Sequence, residues 1–293
     1  MKTGLVGLGA MGRGMATNLY RAGALQTVWN RNIEVSKSFA KQHDVNVASG
    51  LPELASQSEL IITSVSADED LNEVMTAMMP TLRKGTIIVD TSTVAAKTEQ
   101  SLAAKLAEQD VYLLDAPVSG GVEGARQAKL VMMVGGDQEA LEKAKPVLGN
   151  ISSKIKWMGP SGSGQATKAV NQIMAAGINQ AVTEALAFAE AMQLPLADVI
   201  DVIGDGAAGN WFLSHRGNTM VKGEYESGFK IDLHKKDLDL CRDMIEMVSA
   251  TDMRLPIVEM TRLHYERLQQ AGYGEEDISA LYRLKREMFI SET

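Results

Sequence analysis

The residues best placed for chemistry fall in a few short segments. Gly7-Leu8-Gly9-Ala10-Met11-Gly12 reads G-x-G-x-x-G between an apolar run and an amphipathic stretch. In that setting the first glycine allows a tight turn, the second lets backbone approach a pyrophosphate, and the third lets helix and strand pack closely. The anion would rest on a helix N-terminus, where unpaired amides and the helix dipole favour negative charge. A structural turn without a ligand is the plainer reading of the hexamer alone. Its position after the first strand favours a dinucleotide.

The end of the second strand should then read the adenosine ribose, where an acid would select NAD. The chain has Trp29-Asn30-Arg31-Asn32 at that place. No carboxylate in this tetrapeptide opposes a 2′-phosphate, and Arg31 offers a cationic face for one. NADP(H) is therefore the expected cofactor, with Asn30, Arg31 and Asn32 around the ribose and NAD(H) still usable. If Arg31 instead stacks on the adenine or stays solvated, specificity is dual.

Three more segments carry polar groups after apolar runs. Asp90-Thr91-Ser92-Thr93 lines a ligand crevice at a strand end, caps the next helix, or does both. Asp115-Ala116-Pro117-Val118-Ser119-Gly120-Gly121 sets backbone amides beside a hydroxyl and can hold a carboxylate. In Gly159-Pro160-Ser161-Gly162-Ser163-Gly164-Gln165-Ala166-Thr167-Lys168-Ala169-Val170-Asn171, Lys168 and Asn171 lie three apart and share a helix face. A lysine near the start of a largely apolar helix either trades a proton with a carbonyl substrate or snorkels into water. Proton transfer of that kind accelerates a reaction by ~10²–10⁴-fold.

These segments need elements to position them. Apolar runs predict strands at Thr3-Leu8, Gln26-Trp29, Leu60-Ser64, Thr86-Asp90, Val111-Asp115, Leu130-Val134 and Lys154-Trp157. Helical patterns such as Gly12-Ala22, Glu34-Gln42 and Thr98-Glu108 lie between them. The alternation implies an α/β fold, a Rossmann-type doubly wound, mostly parallel sheet covered on both faces. After Gly164 the pattern changes to all-helical. Residues 165–192 contain no proline and are rich in Ala, Met, Ile and Leu, which predicts a helix of roughly 28 residues, or about 42 Å. It is apolar on more than one side and reads as a buried spine. Further helices are expected at Leu196-Ile203, Lys236-Ala250, Pro256-Ala271 and Asp277-Arg286. The glycine- and proline-rich stretch Gly159-Gly164 marks the boundary, giving residues 1–161 as a dinucleotide-binding domain and 162–293 as a helical domain.

Composition narrows the class. The 293 residues are 45% hydrophobic and 23% charged, ordinary for a globular protein. A net charge of -8 gives no general attraction to nucleic acid or anionic lipid, so a phosphate-bearing ligand needs a local site. The single cysteine, Cys241, excludes an internal disulfide, fits a reducing compartment and reads as helix packing. His43, His215, His234 and His264 lack metal-ligand spacing, so no metal is expected. No run of ~18 apolar residues predicts a membrane span. Met1-Lys2 leads at once into the first strand, so a cytoplasmic location is expected. The 17 methionines and the apolar long helix would suit a homodimer or homotetramer, though a monomer core could use them equally.

Taken together, Gly7–Gly12, Asp115–Gly121, Gly159–Asn171 and Lys236-Asp237-Leu238 resemble, in order, the motifs of the β-hydroxyacid dehydrogenase family along nearly the whole chain. That family includes 3-hydroxyisobutyrate dehydrogenases and semialdehyde reductases. The resemblance implies that Lys168 is the catalytic acid and base and that Asn171 helps hold the substrate. It implies that Ser119, Gly120 and Gly121 bind the substrate carboxylate. Thr93 and Lys236 would line the cofactor and substrate crevice, Val65 joins the cofactor set, and Trp211 within Asn210-Trp211-Phe212 would lie over a short acid. Gln172 stands where many relatives have a second asparagine, and Ala128-Lys129 replaces their usual Gly-Thr. Imine reductases share the fold but generally lack the lysine. The related 6-phosphogluconate dehydrogenases carry histidine where Val170 stands. An imine- or serine-directed enzyme of the same fold, and a non-catalytic dinucleotide sensor or scaffold, are the competing readings.

Overall fold

The computed structural model describes residues 1–226, 228–245, 248 and 254–289. The chain divides into two compact units, Met1–Lys168 and Ala169–Thr293.

In the first unit strands and helices alternate. They run β1 (Thr3–Val6), α1 (Ala10–Arg21), β2 (Thr27–Trp29), α2 (Ile33–Ala40), β3 (Asn46–Val47), α3 (Leu51–Gln57), β4 (Leu60–Thr63), α4 (Asp68–Met78), β5 (Ile87–Asp90) and α5 (Ala96–Ala107). There follow β6 (Tyr112–Asp115), β7 (Val118–Ser119), α6 (Gly121–Arg126), β8 (Leu130–Gly135), α7 (Gln138–Leu148) and β9 (Ser152–Gly159). The sheet order is β3-β2-β1-β4-β5-β6-β8-β7, with β9 on β8. Pairs from β3 to β6 are all parallel, and β8 is antiparallel to both β6 and β7. This is the doubly wound sheet expected from the alternating pattern.

The apolar runs become strands because their residues are buried on both faces, as in β4 and β5, where no residue is exposed. Helix α1 buries Gly12, Met15, Ala16 and Leu19, a single stripe at helical spacing. All the strands expected from sequence are present, with ends moved by at most two residues. The two-residue strands β3 and β7 were not expected, because so short a run has no period to read.

Register sets up the site. Trp29, Val6, Thr63, Asp90 and Asp115 pair across five neighbouring strands in one row. The loops that begin at Gly7, Asn30, Ser64, Thr91 and Ala116 therefore leave the same edge of the sheet, the edge where doubly wound folds bind ligands.

The long helix α8 (Ser163–Ala191) begins in this first unit. Asp115 at the end of β6 holds its start. The Asp115 carboxylate accepts from the amides of Gly162 (2.8 Å) and Gln165 (3.0 Å) and is itself fully buried. The approach is close enough to need glycine: a Cβ on Gly164 would lie 2.4 Å from the carbonyl oxygens of Asp115 and Met133. Burial pushes the Asp115 carboxyl up to about 6, although the amides of Gly162 and Gln165 pull it down.

The second unit contains the rest of α8, then α9 (Leu196–Gly204), α10 (Trp211–Val221), α11 (Ile231–Met244), α12 (Pro256–Gln270) and α13 (Leu281–Phe289). Its core gathers Ala176, Val182 and Leu186 of α8 with Leu213, Leu238, Tyr265 and Leu281. The spine is not buried all round, as its composition implied: Val170, Met174 and Phe188 remain 58%, 62% and 54% exposed. Helix α11 starts before the expected Lys236, because Ile231 already joins the core. Most of the expected extension to Ala250 lies outside the described residues. The expected helix from Asp277 opens instead as a 3₁₀ turn, Ile278–Ala280, capped by the Asp277 side chain. Among the described residues no helix is long and apolar enough to cross a membrane.

Two outcomes are expected from this clamp. Gly164→Ala should lower the unfolding free energy by about 1–3 kcal/mol in urea melts, through overpacking against two carbonyls; an unchanged midpoint would show that the contact is slack. The folded chain also binds the Asp115 proton more tightly than the unfolded chain does. The stability from this group is thus present below the ordinary carboxylate range and lost as pH rises through about 6, on the order of 3 kcal/mol in all. Asp115→Asn should flatten the fall in stability between ~pH 4 and ~pH 6. Parallel pH profiles for the two proteins would rule this out.

Candidate active site

The cofactor end is built on the first turn of α1. Gly9 is the N-cap and makes no side-chain cap bond, and the first turn carries no acid. Gly7 has φ +93°, and a Cβ on Gly12 would lie 1.9 Å from the Gly7 carbonyl oxygen. A Cβ on Gly9, by contrast, would meet nothing within 4 Å. The turn is closed by Gly7 and Gly12, while Gly9 leaves open space over amides that a helix cannot pair internally. Met11 is half-buried and packs on the core beneath. These residues fit the pyrophosphate of a dinucleotide.

The ribose-reading loop is tied to this turn. The Leu8 amide donates to Asn30 Oδ1 at 2.9 Å, and Asn30 Nδ2 donates to the Asn32 carbonyl at 3.1 Å. Asn32 caps α2 by accepting from the Glu34 amide at 3.1 Å. Both asparagines thus hold the loop. Arg31 extends outward, with its Nη1 2.8 Å from Asp70 Oδ1 on the first turn of α4. The tetrapeptide itself lacks an acid, but the fold brings one to Arg31 from 39 residues away.

The next two loops are stitched together. The Val65 amide donates to Ser92 Oγ at 2.8 Å, and Ser92 Oγ donates to Asp90 Oδ1 at 2.8 Å. Thr63 also donates to Asp90, and Thr91 Oγ1 donates to the Thr63 carbonyl at 2.7 Å. The capping reading of Asp90–Thr93 fails. Helix α5 begins at Ala96 behind Ala95, whose amide donates to Asp68 Oδ1 instead. Asp90, Thr91 and Ser92 are used by the strand ends, and Thr93 is half-buried at the loop.

Behind them sits a buried acid pair that sequence reading missed. Burial pushes Glu99 well up, and the charges of Asp90 and Asp115 push it further; burial also raises Asp90. A protonated Glu99 donating to Asp90 gives partners to Asp90 Oδ2 and Glu99 Oε2, which otherwise have none. Gln165 on α8 closes the cluster, donating to the Ser92 carbonyl (2.9 Å) and Glu99 Oε1 (3.2 Å).

Lys168 lies one turn beyond Asp115's anchor on α8. It is only 8% exposed, and its Nζ donates to the Val118 carbonyl at 3.0 Å. The snorkelling alternative is therefore wrong: the ammonium is turned inward, onto β7. Ser119, half-buried, pairs with Val131 at the end of that strand. Gly120 and Gly121 follow with φ +127° and +62°, in the region that favours glycine, and are exposed. Helix α6 after them is held from α1. Asn18 Nδ2 donates to the carbonyls of Ala125 (2.8 Å) and Arg126 (3.1 Å). Nothing local could reveal that contact, since its partners are more than a hundred residues apart.

In the second unit, Asn171 Nδ2 donates to Gln172 Oε1 (2.7 Å), and Gln172 Nε2 donates to Asp237 Oδ2 (2.6 Å). Gln172, the departure from the family pattern, is thus a buried link rather than an idle substitution. Lys236 Nζ lies 3.3 Å from Asp237 Oδ1. Trp211 is 62% exposed and stacks on His215 at 4.3 Å, whereas Phe212 is buried in the helical core.

A buried amine beside a hydroxyl-glycine loop, on a unit whose first turn fits a dinucleotide, can transfer protons at a carbonyl. Comparison with known proteins shows the family. Residues 2–159 match the NAD binding domain of 6-phosphogluconate dehydrogenase, and residues 162–285 match the NAD-binding domain of NADP-dependent 3-hydroxyisobutyrate dehydrogenase. An oxidoreductase of Shewanella frigidimarina is 35% identical over 283 residues, 96% of each chain. The 2-(hydroxymethyl)glutarate dehydrogenase of Eubacterium barkeri is 31% identical, covering 98% of this chain and 96% of its own. The solved structure of Mycobacterium tuberculosis 3-hydroxyisobutyrate dehydrogenase with L-serine is 29% identical and superposes with a TM-score of 0.87, over 97% of this chain and 99% of that one. With its dinucleotide turn, inward lysine and full-length likeness, the chain belongs to the β-hydroxyacid dehydrogenase family and is an NAD(P)-dependent oxidoreductase.

Proposed function

We propose that the enzyme moves hydride reversibly between NADP(H) and a short β-hydroxy acid or its semialdehyde, with Lys168 as acid and base. The observation that carries this reading is the buried amine. Lys168 Nζ sits 3.0 Å from the carbonyl of Val118, immediately before the Ser119–Gly121 loop. That arrangement supports an amine next to a substrate whose carboxylate is held by the Ser119 hydroxyl and the amides of Gly120 and Gly121.

A bound nicotinamide supplies or accepts the hydride at the substrate carbon. In reduction, Lys168 as ammonium gives its proton to the carbonyl oxygen as negative charge builds there. In oxidation the neutral amine takes the hydroxyl proton. Asn171, three residues on along the helix, helps hold the substrate, and Trp211 covers it. Gly7 to Gly12 receive the pyrophosphate, Asn30, Arg31 and Asn32 surround the ribose, and Val65, Thr93 and Lys236 complete the cofactor contacts. Residues 1–161 form the dinucleotide-binding domain and 162–293 the helical domain. Exposed Val170, Met174 and Phe188 support a homodimer or homotetramer, and the lone buried Cys241 supports work in the cytoplasm.

Oxidation of a serine-like β-hydroxy acid is the second reading, favoured by the L-serine in the Mycobacterium tuberculosis structure. The test follows NADPH and NADH oxidation with succinic, tartronate and methylmalonate semialdehydes and glyoxylate, and the reverse reaction with 3-hydroxyisobutyrate and serine. Lys168→Ala should cut kcat by ~10²–10⁴-fold while dinucleotide affinity stays within about twofold. Near-normal turnover in that variant would refute the role of the lysine, and NADPH binding without turnover on any of these compounds would leave a sensor or scaffold.

A further inference from the structure

Of the three residues that follow β2, two are used within their loop. Asn30 fixes the Leu8 amide, and Asn32 caps α2. Arg31 alone projects, with its side chain 78% exposed, and its partner is Asp70 at 2.8 Å. Helix α4 opens with three acids, Asp68, Glu69 and Asp70. Asp68 is occupied by the Ala95 amide at 3.0 Å, so its geometry belongs to the loop after β5. Asp70, with 24% of its side chain exposed, is the acid that faces Arg31.

We propose that Asp70 is a specificity-determining residue, whose carboxylate competes with the 2′-phosphate of NADP(H) for the Arg31 guanidinium and so narrows the preference for NADP(H) over NAD(H). The inference rests on the reading that Arg31 receives the 2′-phosphate. A guanidinium binds carboxylate and phosphate with the same donors in the same planar geometry. With Asp70 in place, a phosphate dianion must share or displace it, and the remaining negative charge opposes the incoming one. A ribose 2′-hydroxyl carries no charge and feels little of either effect. The pair is solvent-exposed and hence weak, so Asp70 tunes affinity without blocking it. It reaches the ribose loop from a different helix, which is why inspection of the β2 end alone does not reveal it.

The experiment measures Kd for NADPH, NADH and adenosine 2′,5′-bisphosphate with the parent, Asp70→Asn, Asp70→Ser, Arg31→Ala and the Arg31→Ala/Asp70→Asn double variant, at low and moderate salt. Both Asp70 variants should bind NADPH and the bisphosphate about three- to tenfold more tightly at low salt, with the gain shrinking as salt rises. NADH affinity should stay within about twofold, which also reports an intact fold. Arg31→Ala should weaken NADPH and the bisphosphate but spare NADH, and in that background Asp70→Asn should lose most of its gain. If Arg31→Ala weakens NADPH while both Asp70 variants leave it unchanged or weaker, competition is overturned and the role of Arg31 survives. If Arg31→Ala leaves NADPH unaffected, the cofactor reading fails and the inference falls with it.

Discussion

The Asp115 carboxylate, at the last position of β6, accepts amide hydrogens from Gly162 and Gln165 where α8 begins. Nearly everything that matters for chemistry in the first unit is referred to that anchor. It fixes the axial position of the helix, and Lys168 follows three residues after Gln165, so the height of the amine above the sheet is set. It also fixes helix rotation, because Gln165 must face the Ser92 carbonyl and Glu99. With both degrees of freedom removed, the amine meets the Val118 carbonyl. The cost is a carboxylate taken out of water, visible as its raised proton affinity.

Behind the anchor, three acids lie within one buried layer: Asp90, Glu99 and Asp115. Like charges so close cannot all ionise, and Glu99 takes the proton. The layer therefore works as a donor–acceptor network, with hydroxyls of Thr63 and Ser92 and the amide of Gln165 completing it. Such a network gives direction to the loops that leave the sheet edge, because a hydrogen bond holds only while donor and acceptor stay aligned. Apolar packing alone would leave those loops freer to slide.

The sheet was legible in the sequence because its central strands are continuous apolar runs bounded by turn residues, as Leu60–Thr63 and Ile87–Asp90 show. The dinucleotide turn was legible because its glycine spacing is a local pattern, although the contact that holds Gly7 to glycine also comes from afar: a Cβ there would lie 2.1 Å from the Ser64 carbonyl oxygen. What stayed hidden is what the fold brings together from afar. Asp70 reaches Arg31 across 39 residues, and Asp115 reaches Gln165 across 50. The Asp90–Thr93 segment suggested a helix cap because Ser and Thr favour that role, but the strand ends claimed those side chains first. Phe212, beside Trp211, was ambiguous for another reason: in sequence, such an aromatic looks the same whether it lines a pocket or fills the core where it lies.

Helix α6 has six residues, too few to sustain itself, and its last carbonyls are held by Asn18 from the helix that opens with the dinucleotide turn. The shape of the Ser119–Gly121 segment is thus inherited from outside itself, measured off against a fixed rod. Lengthening or shortening the stretch between Ser119 and Arg126 would carry those carbonyls out of reach and unmoor it. On the proposed reading of that loop, a change in what it accepts would proceed by exchanging side chains on a scaffold of constant length, a rule of thumb for anyone wishing to redirect the enzyme.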